Sequence, residues 1–244
     1  MESFSSPAMW AGLGNIILVN IVLSGDNAVV IAMAARGLPG NRQKQAVIWG
    51  SIAAIVMRVL LTIFAVKLLM YPYLKIVGGL LLFWIGIQLF SGRDGDGKQV
   101  AGHTALWAAI RTIVVADLVM SLDNVIGVAA AAKGNTTLLV LGLAITIPLI
   151  IFGSTIMLTL MEKFPIIIAL GAALLGYLAG DMMAADPAVA SWFSTVLPNN
   201  DLQIVPDSFD LSITGLIGAA IVWAIGAMLA KRSAARSEAG ADKD

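Results

Sequence analysis

Apolar residues run along this chain in seven long blocks, at residues 9–35, 46–70, 73–91, 104–132, 137–160, 165–184 and 211–230. A helix needs about 20 mostly apolar residues to cross a bilayer, so the pattern predicts seven membrane-spanning helices. The breaks between blocks are polar and readable. Arg36 to Lys44 is a charged turn, Pro72 parts the second block from the third, and Ser91 to His103 is a loop rich in glycine and charge. Lys133-Gly134-Asn135 and Glu162 to Pro165 close the next two blocks. Asp186 to Asp210 is a longer polar segment carrying Pro187, Pro198 and Pro206, and the charged tail from Lys231 to Asp244 is expected to be disordered.

Composition strengthens this reading. Hydrophobic residues make up 59% of the 244 positions and charged residues 12%, against roughly 25% charged in soluble domains. Mean hydropathy is +0.91. Net charge is zero, so no basic footprint points to nucleic acid. The absence of Cys removes disulfides and thiolate metal sites, and the single His103 excludes an imidazole cluster for zinc. Met1 to Met9 holds Glu2 and no basic residue, the wrong head for a signal peptide, so the first block is expected to remain. Lys and Arg set the orientation. With the N-terminus outside, Arg36, Arg42, Lys44, Arg93, Lys98, Lys163, Lys231, Arg232, Arg236 and Lys243 fall inside, against Lys67, Lys75 and Lys133 outside. The expected location is a bacterial inner membrane, with the C-terminus in the cytoplasm.

The chain also repeats itself. Asn20 to Gly37 reads NIVLSGDNAVVIAMAARG and Asp117 to Gly134 reads DLVMSLDNVIGVAAAAKG. Both share S-x-D-N, an Ala-rich run, and a basic residue before Gly. Further on, Tyr71-Pro72 with Gly78, Leu81 and Leu82 lines up with Phe164-Pro165, Gly171, Leu174 and Leu175. Three spans per repeat is an odd number, so the second copy must enter the membrane from the opposite side. The expected fold is all-α: seven transmembrane helices built as two inverted three-helix repeats plus one extra C-terminal helix. The division is residues 1–92 and 104–185 for the repeats, 93–103 for a cytoplasmic linker, 186–210 for an extracytoplasmic loop, 211–230 for the seventh helix and 231–244 for a cytoplasmic tail. Inverted repeats recur in transporters, whose sites lie near the midplane where the repeats meet.

The charges inside the blocks carry the candidate chemistry. Asp26 lies in the first, and Asp117 and Asp123 lie in the fourth. Each costs about 2.5–3.5 kcal/mol near the bilayer centre, roughly 9 kcal/mol for the three. Structural ion pairing is the bland explanation, and Arg58 and Arg111 read as structural or charge-balancing groups. The repeated Asp26-Asn27 and Asp123-Asn124, with hydroxyls from Ser24 and Ser121, make a hard-oxygen set suited to Mg²⁺, Mn²⁺ or Ca²⁺. Gly25 would let the first helix open beside Asp26, whereas Leu122 holds that place in the second copy. Asp117 lies most of two turns before Asp123 and shares a site with it only in a distorted helix, or at successive points on a path. Asn20 is its counterpart in the first copy. Gly176-x-x-x-Gly180 fits close helix packing, and Gln88, Thr112, Thr146 and Thr155 suit polar links between helices. Asp181, Asp186, Asp201, Asp207 and Asp210 form either an outer acidic vestibule or an ordinary solvated loop.

N-I-V-L-S-G-D-N-A-V-V-I-A and D-L-V-M-S-L-D-N-V resemble the paired motifs of the TerC family of integral membrane proteins, particularly its YjbE-like branch, across about residues 9–230. The resemblance implies a manganese exporter within a wider group that includes amino-acid exporters. It implies that Asp26, Asn27, Asp123 and Asn124 hold metal and that Asp117 contributes a further acid. Members often carry an acid at both equivalent positions, where this chain has Asn20 and Asp117. The expected function is a secondary transporter exporting a divalent cation, foremost Mn²⁺, by alternating access, with protons as counter-ion and no enzymatic activity. Its partners are the metal ion as substrate and the lipid bilayer; no cofactor is expected, and self-association into a homo-oligomer stays open. Two alternatives stand beside it: a membrane metal-binding or metal-delivery protein without transport, and an exporter of a small organic solute. An intramembrane aspartyl protease would need G-x-G-D, and Leu178-Ala179-Gly180-Asp181 lacks the first glycine. A retinal-type photoprotein would need a lysine in block 211–230, which has none.

Overall fold

The computed structural model describes residues 13–14, 25–68, 71–92, 102–132, 136–198, 200–205 and 209–241. Side chains are described over 13–14, 25–62, 71–92, 104–122, 140–198, 200, 202 and 211–232. The elements in chain order are α1 (Gly25–Ala35), α2 (Gly40–Leu68), α3 (Leu74–Ser91), α4 (Gly102–Ala132), α5 (Thr136–Lys163), α6 (Ile166–Ala184) and α7 (Ala190–Val196). Two strands, β1 (Asp201–Val205) and β2 (Phe209–Ser212), then precede α8 (Ile213–Ala241). Among the described residues six helices are long and apolar enough to cross a membrane, α2 to α6 and α8; most of the expected first block lies outside the described residues. The apolar α1 is described over 11 residues, about 16 Å at 1.5 Å per residue. Large side chains such as Trp84, Phe152, Leu170 and Trp223 point outward and are more than half exposed. A protein surrounded by water could not leave so many of them bare; hydrocarbon accepts them. The chain is a helical membrane protein with six candidate spans and a short apolar helix.

Three expectations need correction. The segment from Asp186 to Asp210 is not plain loop, because it contains α7 and part of an antiparallel ribbon in which Asp201 pairs with Ser212 and Leu202 with Leu211. Leu202, Ile204, Phe209 and Leu211 alternate with polar positions around Pro206-Asp207-Ser208, the period-2 signature of a hairpin. The tail is helical as far as Ala241, since Ala, Arg and Glu are strong helix formers. Finally, α2 starts at Gly40 and not near residue 46, because hydropathy marks the part of a helix inside lipid while the helix itself continues into water.

The chain forms two compact units, Met1–Met70 with Leu106–Glu162, and Tyr71–Ala105 with Lys163–Asp244. The division cuts across the sequence halves evenly. Each half gives its first two helices to the first unit and its third helix to the second. In the second unit α3, α6 and α8 pack on one another. A Cβ added at Gly176 would lie 2.5 Å from the Gly218 carbonyl oxygen, and one at Gly180 would strike the Thr214 carbonyl. Backbone meets backbone here, so only glycine fits, as anticipated for Gly176-x-x-x-Gly180.

Asp186 also closes the second unit. It is fully buried, and its carboxylate accepts N–H bonds from Tyr73 (2.9 Å), Lys75 (3.0 Å), Ile76 (3.3 Å) and Ala188 (2.8 Å). Tyr73 sits left-handed at the start of α3 and offers no side-chain cap. The free first-turn N–H groups of α3 are therefore served by an acid far away in sequence. Burial alone would push the Asp186 pKa up, but the N–H groups of Ala188, Tyr73, Ile76 and Lys75 outweigh it and hold the group below its ordinary value. Asp186 is thus a helix cap and not part of an open acidic vestibule.

Candidate cation site

The first unit buries its polar groups among side chains instead of along glycine seams. Arg58, on α2, is 1% exposed, and Asp117, on α4, is 5% exposed. Arg58 Nη2 donates to Asp117 Oδ1 at 2.5 Å, and Nε donates to Ser121 Oγ at 2.9 Å. The Ser121 hydroxyl in turn donates to Asp117 Oδ2 at 3.3 Å. Asp117 and Ser121 lie one turn apart on α4, so a single guanidinium fork reaches both. A glycine permits this approach: a Cβ at Gly50 would come within 2.7 Å of Ile113 Cδ1. Gly50 therefore lies against Ile113 and Arg58 against Asp117 and Ser121, so α2 and α4 run side by side in the same direction.

Asp26 and Asn27 occupy the first turn of α1, which begins at Gly25. The residues before Gly25, where the glycine was expected to open the helix, lie outside the described residues. Asp26 Oδ1 accepts the backbone N–H of Asn27 at 2.7 Å. The Asp26 carboxylate lies within electrostatic reach of both Arg58 and Asp117. Ala28, next along α1, faces Gly153 of α5. The side chain of Asn27 is 2% exposed, and neither its amide nitrogen nor its amide oxygen has a partner. Among the described residues, Ser51 Oγ is the only other buried side-chain polar atom left so. Burying such an atom unpaired costs about 1–3 kcal/mol, and few are tolerated in folded proteins.

Of the eight sequence-derived candidates, Asp26, Asn27, Asp117 and Ser121 are described with their side chains, and all four belong to the first unit. Asp117 and Ser121 hold a guanidinium, which fits the structural reading of Arg58 and leaves them less open to a metal. Asp123 and Asn124 lie on α4, but their side chains are outside the described residues, as are Asn20 and Ser24 altogether. Helix α4 is continuous from Gly102 to Ala132. Asp117 and Asp123 are thus about 9 Å apart along its axis, and the distortion that one shared site would require is absent. Arg111 is exposed. Among the described residues no three His, Asp or Glu side chains gather as a metal cluster. Thr146 and Thr155 bond to carbonyls of their own helix, Leu143 and Ile151, instead of linking helices. Ser51 was not anticipated: a lone serine in an apolar helix reads as packing, and only its missing partner marks it.

Comparison with known proteins places these residues in a family. The integral membrane protein TerC family matches residues 5–234. The chain belongs to the TerC family. This TerC-family protein is 47% identical over 171 residues to YjbE of Bacillus subtilis, an uncharacterized membrane protein, covering 70% of this chain and 78% of that one. It is 25% identical over 187 residues to a second uncharacterized Bacillus subtilis membrane protein, YceF, covering 73% and 72%. It is 31% identical over 145 residues to the Escherichia coli inner membrane protein YoaE, covering 52% of this chain and 28% of that one. No solved structure matches the chain. The TerC-family chain is therefore a multi-pass membrane protein, and YoaE, a relative, is an inner membrane protein.

Proposed function

We propose that this TerC-family protein exports a divalent cation, foremost Mn²⁺, across the bacterial inner membrane as a secondary transporter, with the ion held in the first unit by Asp26 and Asn27. The observation that carries the reading is the pairing of a carboxylate with a buried amide that has no partner of its own. The Asn27 amide oxygen, which the fold leaves unused, and the Asp26 carboxylate offer hard oxygens to a cation. Arg58 neutralises Asp117, so the carboxylate charge offered to the ion at this site is that of Asp26. Mg²⁺ and Ca²⁺ share the ligand preference and are the natural competitors.

Helix direction supports the inverted repeat. A four-residue turn joins α1 to α2, with Leu38 N–H bonded to Ala35 O at 3.1 Å, and the two helices pack together, so they run antiparallel. Since α4 runs parallel to α2, the helices bearing the two S-x-D-N copies, α1 and α4, run in opposite senses. That is the relation an odd-span repeat demands.

Energetics sets the coupling. Expelling a divalent ion against an inside-negative potential costs about 4.6 kcal/mol per 100 mV. Antiport supplies this, and a carboxylate that accepts either a proton or a metal makes H⁺ the counter-ion. The test is Mn²⁺ uptake into everted membrane vesicles energised by a proton gradient. Uptake is expected to depend on the gradient and to vanish when Asp26→Asn and Asp123→Asn are combined; uptake that persists in that variant removes the assignment.

A further inference from the structure

Where α2 begins and α5 ends, the first unit opens a pocket of about 410 Å³, of ligand-site size. Its walls are Val47, Ile48, Ile151 and Leu158, and its charged residues are Lys44 and Glu162. Both charged side chains are exposed, yet no salt bridge joins Lys44 to Glu162. Each charge also stands against its own helix. Lys44 is the fifth residue of α2, near the positive N-terminal end, and Glu162 is the penultimate residue of α5, at the negative C-terminal end. Among the described residues no salt bridge answers either charge, although Lys163 follows Glu162 in the last turn of α5. A guest with an anion for Lys44 and a cation for Glu162 answers both, and it sets each of its charges toward the helix terminus of opposite sign.

The surroundings identify the source of such a guest. Trp49 on α2 and Phe152 on α5 are 59% and 68% exposed, so both helices face hydrocarbon beside the pocket. Arg36 and Arg42 flank the same end of α2, which makes it the cytoplasmic end by the positive-inside rule. We propose that the pocket binds a phospholipid of the cytoplasmic leaflet whose headgroup carries a phosphate and a primary ammonium. The phosphate meets Lys44, the ammonium meets Glu162, and an acyl chain lies along Val47, Ile48, Ile151 and Leu158. A primary ammonium has three N–H donors for the Glu162 carboxylate, whereas a quaternary choline has none and a glycerol headgroup brings no positive charge. This site is separate from the cation site and does not depend on the transport reading.

Native mass spectrometry of the purified protein, titrated with phosphatidylethanolamine, phosphatidylcholine and phosphatidylglycerol of matched chains, tests the assignment. Phosphatidylethanolamine is expected to be retained about fivefold more than either rival, the scale of one exposed ion pair. Glu162→Gln is expected to abolish the preference, and Lys44→Gln to weaken retention of all three lipids, with helical circular dichroism unchanged in both because the side chains are exposed. Should Glu162→Gln fail to fold, Glu162→Ala serves in its place. Equal retention of the three lipids by the native chain, or an intact preference in the folded Glu162 variant, overturns the proposal.

Discussion

The two units solve the burial of polar groups in opposite ways. The second packs backbone on backbone at Gly176, Gly180 and Gly218 and satisfies its buried acid, Asp186, with four N–H groups. The first buries a guanidinium against a carboxylate and leaves the amide of Asn27 and the hydroxyl of Ser51 without partners. A region whose polar groups are all answered from within is a scaffold. A region that keeps donors and acceptors in reserve retains the capacity to bind, at a cost in its own stability. Asp117 and Asp186 show the difference at single residues: both are buried, but one is neutralised by a long side chain that can move and the other by the backbone.

The largest effect is expected at Arg58. Arg58→Met strands Asp117 without a counter-charge and should remove about 3–5 kcal/mol, while Arg58→Met with Asp117→Leu should recover most of it. Melting temperatures in detergent check this, and a double variant as unstable as the single one would mean that the pair is not what holds α2 to α4. Next comes Gly180→Val, which drives a side chain into the Thr214 carbonyl and should lower stability by about 1–3 kcal/mol or more. Gly25→Val makes the comparison sharp, because a Cβ there meets open space and the melting temperature should hardly move. If the two substitutions behave alike, the contrast between a sealed unit and an open one fails.

A smaller effect belongs to Asp186. Its pKa is depressed in the folded protein, so its contribution is complete above the unfolded value of about 3.9 and fades as pH falls through the folded value. Asp186→Asn should lower stability by about 1–2 kcal/mol at neutral pH, the scale of a lost cap. The variant should also show a flatter loss of stability below about pH 4 than the native chain. An unchanged acid limb would mean that the carboxylate is not the cap.

Much of this contrast was legible in the sequence, and the remainder was hidden for definite reasons. Hydropathy located α3 and α6 almost to the residue, because their ends coincide with Pro72, Pro165 and polar turns. It cut α2 short at its N-terminal end, since Gly40 to Gln45 are helical but polar. The glycine seam was readable in Gly176 and Gly180, yet its partner Gly218 lies on α8, a helix with no repeat counterpart. Asp26 and Asn27 stood out through their duplication. That Arg58 claims Asp117 depends on a contact 59 residues apart, which no local pattern encodes. Asp186 was read as a solvated acid because its four donors belong to two separate segments.

The central claim, that the reserve in the first unit is a cation site, is tested most directly by binding of Mn²⁺ to the purified protein, followed by electron paramagnetic resonance. The native chain should take up the ion and quench its free six-line signal, and Asp26→Asn should weaken binding at least about tenfold, a change of about 1.4 kcal/mol. Equal Mn²⁺ affinity in the native and Asp26→Asn proteins would contradict the account.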